Sequence, residues 1–78
     1  MSDINELRNE MDAVTLEMIN LLKTRTDIAK QIGEVKKSIG KGVTDEEREE
    51  NLRRKIMKVT QEIGLDETLA SKFLNFLL

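Results

Sequence analysis

An unbroken heptad rhythm constrains this chain more than any other feature. From Leu7 to Ile39, successive positions of one stripe are separated alternately by four and three residues, as in a helix that buries one side against partner helices. One position is Arg25, whose guanidinium stays protonated under ordinary conditions. A buried charge without a partner is costly, so Arg25 is a candidate functional residue. The heptad stripe consists of Leu7, Met11, Val14, Met18, Leu21, Arg25, Ile28, Ile32, Val35 and Ile39.

The length of the chain favours an oligomer. Its 78 residues form one small domain, and a chain of this size buries only about 60% of its unfolded surface when it folds alone. It has no Cys for a disulfide and no His for a zinc site, which are the usual supports of a small core. We therefore predict a single helical domain over residues 1–78 that is stabilised by dimerisation.

Start signals place the first two helices. The first is predicted to begin at Ser2 or Asp3, both good N-caps, and to end near Lys37. It would be about 50 Å long, more than such a short chain can cover. The glycine-containing segment 38–44 is predicted as the first loop. A capping box over Thr44–Glu47 then opens the second helix.

Two further signals complete an all-α architecture of three helices. Gly64 is a natural stop for the second helix, and Asp66 is an N-cap for the third. The predicted apolar sides are Leu52, Ile56, Val59 and Ile63 on the second helix and Leu69, Phe73, Phe76 and Leu77 on the third.

The charge balance limits the class of partner. The chain has 13 Lys and Arg against 15 Asp and Glu, a net charge of -2, whereas a sequence-independent nucleic-acid binder has a strong basic excess. No apolar run approaches the length of a membrane span, and no N-terminal run resembles a signal peptide. We expect a cytoplasmic protein that binds neither nucleic acid nor membranes. Because the net charge is negative, an anionic ligand would have to be bound by a local group of cationic side chains.

Two cations bracket a stretch of small residues on the first helix. Arg25 and Lys36 are eleven residues apart, about 16 Å along the axis and about 20° around it. Ala29 and Gly33 lie between them, so this segment predicts a notch for a small molecule with more than one carboxylate. The simpler interpretation is that Arg25 sets the helix register, Gly33 allows a close helix crossing and Lys36 is a solvated helix end.

Three segments, in order, resemble the all-helical class of chorismate mutase. They are LRNEMD, LLKTRTDIAKQIGEVK and VTDEERE; the likeness is specific from Leu7 to Glu49 and compatible from Leu52 to Leu78. The resemblance implies the rearrangement of chorismate to prephenate. This pericyclic reaction needs no metal, nucleophile or general base, so we expect no cofactor.

The resemblance implies that two arginines, Arg8 and Arg25, bind the carboxylates of the substrate and that Lys36 donates to its ether oxygen and to a carboxylate. Seventeen residues separate Arg8 from Arg25, about 25 Å of helix, while the substrate is under about 10 Å long. One helix cannot bring both arginines to one ligand. We therefore predict an intertwined antiparallel homodimer in which the partner chain supplies Arg8.

Around the second helix the resemblance implies that Arg48 adds positive charge and that Glu49 accepts from the ring hydroxyl, assisted by the backbone at Asp45. Taken alone, Arg8, Arg48 and Glu49 are ordinary surface groups in charge-rich runs. The class also places a Gln or Glu late in the third helix, beyond Leu78. That difference keeps two alternatives open: an isochorismate pyruvate lyase, which the intact DEERE run disfavours, and a catalytically weak or silent helical interaction module.

Overall fold

The computed structural model describes residues 3–39 and 46–78, and these form three helices. Helix α1 is Ile4–Ile39, α2 is Glu46–Ile63 and α3 is Glu67–Leu77. With 36 residues, α1 is twice as long as the 18-residue α2. The predicted all-α class and order of helices are confirmed, and α1 belongs to one compact unit whereas α2 and α3 belong to another.

The predicted start of α1 is confirmed by a side-chain cap. The Asp3 carboxylate accepts a hydrogen bond from the backbone N–H of Glu6 at 2.9 Å, which satisfies one of the donors that a helix leaves open at its N-terminus. The predicted end at Lys37 is two residues short, because α1 continues to Ile39. The hydroxyl of Ser38 donates to the carbonyl of Val35 at 3.2 Å, so the first residues of the predicted loop are helical.

A glycine turn joins α2 to α3. Gly64 has a φ of 73°, the left-handed conformation that costs glycine least. The N–H of Leu65 donates to the carbonyl of Thr60 at 3.0 Å, and that of Gly64 donates to Gln61 at 3.4 Å. These two bonds form a Schellman motif. Both predicted signals are confirmed, since Asp66 caps α3 through the N–H of Thr68 at 2.9 Å.

The contact between α2 and α3 buries few side chains. Ala70 and Leu74 of α3 are buried, and so is Thr60 of α2, whose hydroxyl donates to the carbonyl of Ile56 at 2.7 Å. The second unit therefore has a small core that surrounds the Ala70–Leu74 face of α3.

The predicted apolar side of α3 is only partly the side that is buried, since Leu77 is half-buried and the other three residues are exposed. Leu69, Phe73 and Phe76 are 55%, 49% and 73% exposed, because the contact face is centred on Ala70 and Leu74, beside them. On α2, Val59 and Ile63 are also exposed, while Leu52 and Ile56 are half-buried. The second unit thus presents an apolar surface that its own core does not use.

The heptad stripe of α1 is exposed along its whole described length. Its apolar members from Leu7 to Val35 have exposed fractions between 42% and 68%, far above those of a helix packed in a core. None of the described helices combines the length and apolar character needed to cross a membrane. An exposed apolar side on an amphipathic helix of 36 residues is typical of a surface that binds another protein chain.

Candidate functional site

Arg25 projects from the heptad stripe without an acidic partner among the described residues. It is exposed, and the hydroxyls on either side of it are used by the helix backbone. Thr24 donates to the carbonyl of Asn20 at 3.3 Å, and Thr26 donates to that of Leu22 at 2.8 Å. The five N–H donors of the Arg25 guanidinium thus have no acceptor among the described residues.

The neighbouring cation Lys23 has an acidic partner, unlike Arg25. The Lys23 ammonium lies 2.6 Å and 2.8 Å from the two carboxylate oxygens of Asp27, one turn further along α1. Two residues correspond to about 200° of rotation, so this pair lies on the opposite side of the helix from Arg25. The Lys23–Asp27 pair therefore does not offset the positive charge of Arg25.

Lys36 lies in the last turn of α1 and is half-buried. Its position is about 16 Å from Arg25 along the axis and about 20° around it. Between them, a methyl group at Gly33 would meet nothing within 4 Å. Crowding inside this chain therefore does not explain a glycine within a helix, where it costs about 0.5–1 kcal/mol relative to Ala. The structure thus shows open space beside Gly33, and the notch stays a prediction.

Arg8 lies in the second turn of α1 and is exposed. Its guanidinium makes no ion pair with Glu10, with Asp12 one turn on, or with any other described carboxylate. The straight distance along the helix from Arg8 to Arg25 is about 25 Å. Helix α1 thus brings Arg25 and Lys36 to nearly the same face, but it does not bring Arg8 to them.

The first turn of α2 carries Arg48 and Glu49, both exposed. Neither side chain makes a hydrogen bond or an ion pair with another described residue. Acidic side chains in this turn, Glu49 among them, complement the positive end of the helix dipole. The predicted capping box, apart from Glu46 and Glu47, and the predicted backbone contact at Asp45 lie outside the described residues.

Sequence analysis missed one polar contact in this region. The guanidinium of Arg53 donates to the side-chain carbonyl of Asn75 at 2.9 Å, which links α2 to α3 across 22 residues of sequence. No local spacing signals a contact of this kind. The i,i+4 spacing of Glu49 and Arg53 instead favours a pair within α2, which does not form.

The chemistry available to these side chains is that of anion binding. Among the described residues, no group of three or more carboxylate, His or Cys side chains is placed to hold a metal ion. The site residues are guanidinium and ammonium donors with one carboxylate acceptor. Donors of this kind bind carboxylates and stabilise negative charge on oxygen.

Comparison with known proteins identifies relatives. The model of the chorismate mutase type II family matches residues 7–78. The chain is 35% identical over 63 residues to the bifunctional chorismate mutase/prephenate dehydratase of Aquifex aeolicus, a match that covers 81% of this chain and 17% of that protein. It is 29% identical over 73 residues to the chorismate mutase of Methanocaldococcus jannaschii, which covers 94% of this chain and 74% of that protein. No solved structure gave a significant match.

Proposed function

This chain belongs to the chorismate mutase type II family, and from that membership we propose that it rearranges chorismate to prephenate, a step in aromatic amino acid biosynthesis. The observation that carries the proposal is the arrangement of Arg25, Gly33 and Lys36 on α1. Arg25 has no acidic partner among the described residues, Lys36 follows on nearly the same face, and open space adjoins Gly33 between them. A dicarboxylate of small size fits cations arranged in this way.

The proposed mechanism selects a substrate conformer and stabilises charge. Chorismate must fold into a compact conformer before its carbon–oxygen bond breaks and its new carbon–carbon bond forms. Arg25 and the partner's Arg8 hold one carboxylate each, which restricts the substrate to that conformer. Negative charge grows on the ether oxygen in the transition state, where the Lys36 ammonium donates a hydrogen bond. No group of the protein forms a covalent bond with the substrate.

Residues of α2 complete the proposed site. Glu49 accepts from the ring hydroxyl of the substrate, assisted by the backbone at Asp45, and Arg48 adds positive charge beside it. The support for this step is that the Arg48 and Glu49 side chains are exposed and make no hydrogen bond or ion pair with another described residue. Glu49 is thus available as an acceptor.

We propose that the active form is an intertwined antiparallel homodimer of single-domain chains working in the cytoplasm. The heptad stripe of α1 and the apolar surface of the second unit are both exposed, and a second copy offers the same two surfaces in return. Antiparallel pairing of α1 with its counterpart would place Arg8 of one chain near Arg25 of the other. Two equivalent sites follow from the two-fold symmetry.

We expect light scattering to report a dimer at micromolar concentration that persists over a broad range of dilution. The reason is that a monomer would leave the heptad stripe of α1 in water, and each large apolar side chain gains about 1.5–3 kcal/mol on full burial. Far-UV circular dichroism over the same dilution series is the companion measurement, because helix content should fall when the dimer dissociates. A stable, fully helical monomer would contradict the proposed assembly.

Incubation with chorismate tests the proposed reaction, and we expect prephenate to accumulate faster than in a protein-free control. A parallel incubation with isochorismate separates the mutase from an isochorismate pyruvate lyase, since the lyase releases pyruvate. A bicyclic dicarboxylate that mimics the transition state should inhibit the mutase reaction. If neither substrate reacts and the mimic does not bind, the chain is a silent interaction module and the proposal fails.

A further inference from the structure

We propose that Asn75 is a positioning residue, which holds the Arg53 guanidinium on α3 and thereby keeps the Glu49 carboxylate available for the substrate hydroxyl. The inference rests on the proposed role of Glu49. Its basis is the 2.9 Å hydrogen bond from Arg53 to Asn75.

Among the acidic residues of α2, Glu49 has the i,i+4 spacing to Arg53 that favours an ion pair. The two residues are four apart on α2, with the acid nearer the N-terminus, which is the favourable order for an i,i+4 ion pair. An exposed helix with this spacing pairs the two side chains part of the time. In this structure Glu49 makes no ion pair with a described residue. The difference is that Arg53 is already engaged across the α2–α3 contact.

Asn75 is suited to this task by its charge and its place. Its neutral carbonyl accepts from the guanidinium without cancelling the positive charge. It lies one residue after Leu74, which is buried in the α2–α3 contact, so the backbone that carries it is held against α2. Arg53 is half-buried, and the packing of its stem favours the same direction.

Removal of the Asn75 side chain returns Arg53 to Glu49. The Arg53 guanidinium would then compete with the substrate hydroxyl for the Glu49 carboxylate. We expect Asn75→Ala to raise KM about 1.5- to 2-fold with little change in kcat, because the restored ion pair weakens binding of the ground state and of the transition state alike. Asn75 is exposed, so the variant should keep its fold, and circular dichroism checks this.

The double variant Asn75→Ala/Arg53→Met separates positioning from a purely structural role. Without a guanidinium there is no competitor for Glu49, so we expect KM to return to the wild-type value. If Asn75 only fastens α3 to α2, the double variant is as impaired as Asn75→Ala, and the inference is overturned. Asn51→Ala is the matched control, because Asn51 accepts from Arg54 at 2.7 Å within α2 and its loss should leave KM unchanged.

A second measurement needs no substrate. The side-chain carboxyl ¹³C signal of Glu49 should be insensitive to Arg53→Met in the wild-type background and should shift on Arg53→Met in the Asn75→Ala background. Equal responses in the two backgrounds would overturn the inference even in an active enzyme. Because this comparison is made on the ligand-free protein, failure of the mutase activity and failure of the positioning role give different results.

Discussion

Lys36→Ala is expected to lower kcat by about 10²-fold or more while the protein keeps its helix content and its oligomeric state. The physical reason is that the ammonium is the donor proposed for the ether oxygen, and loss of one preorganised donor at a developing oxyanion typically has an effect of this size. Steady-state measurement of prephenate formation gives kcat, and circular dichroism monitors the fold.

The neighbouring Lys37 provides the matched control. Both lysines lie in the last turn of α1, but Lys36 is half-buried and Lys37 is exposed. Lys37→Ala makes the same change of charge at the same helix end and should leave kcat near the wild-type value. Lys36→Arg should restore only part of the activity, because a planar guanidinium does not place its donors where an ammonium does. Near-normal turnover in Lys36→Ala would remove Lys36 from the mechanism.

The parts of the fold that are specified locally were predictable from the sequence. Asp3 and Asp66 cap their helices through hydrogen bonds to N–H groups two or three residues away, and Gly64 ends α2 in the left-handed conformation that its residue type favours. Each signal acts over a few residues, so sequence spacing alone identifies it. The heptad stripe likewise predicted one continuous α1, which ends two residues later than expected.

The parts that depend on contacts between distant residues were not predictable in this way. The apolar residues of α3 formed a clear side around Phe73, yet the contact with α2 is centred on Ala70 and Leu74, because packing of two helices depends on the shape of both surfaces. The bond between Arg53 and Asn75 joins residues 22 apart. The roles of the candidate site residues came from a resemblance of motifs, and periodicity alone gave only the Arg25–Lys36 notch.

The second large effect concerns the chain that supplies Arg8. Within one α1 helix, Arg8 and Arg25 are about 25 Å apart. Arg25 and Lys36 are only about 16 Å apart and lie on nearly the same face. If all three serve one substrate, Arg8 must come from the partner chain. Arg8→Ala and Lys36→Ala should then each be nearly inactive as homodimers. A mixed dimer of the two variants would have one site with both defects and one site with neither.

Unfolding the two variants together and refolding them at equal concentration is therefore expected to restore roughly a quarter of the wild-type activity, since about half of the dimers are mixed and each has one intact site. Arg25→Ala mixed with Lys36→Ala is the control. Arg25 and Lys36 are proposed to serve one site from the same chain, so every site of that mixed dimer carries a defect and no activity should return. Recovery in the first mixture and none in the second requires shared sites. If mixed dimers form and both mixtures stay inactive, Arg8 does not act across the dimer, and the antiparallel arrangement of the α1 helices proposed for the site is wrong.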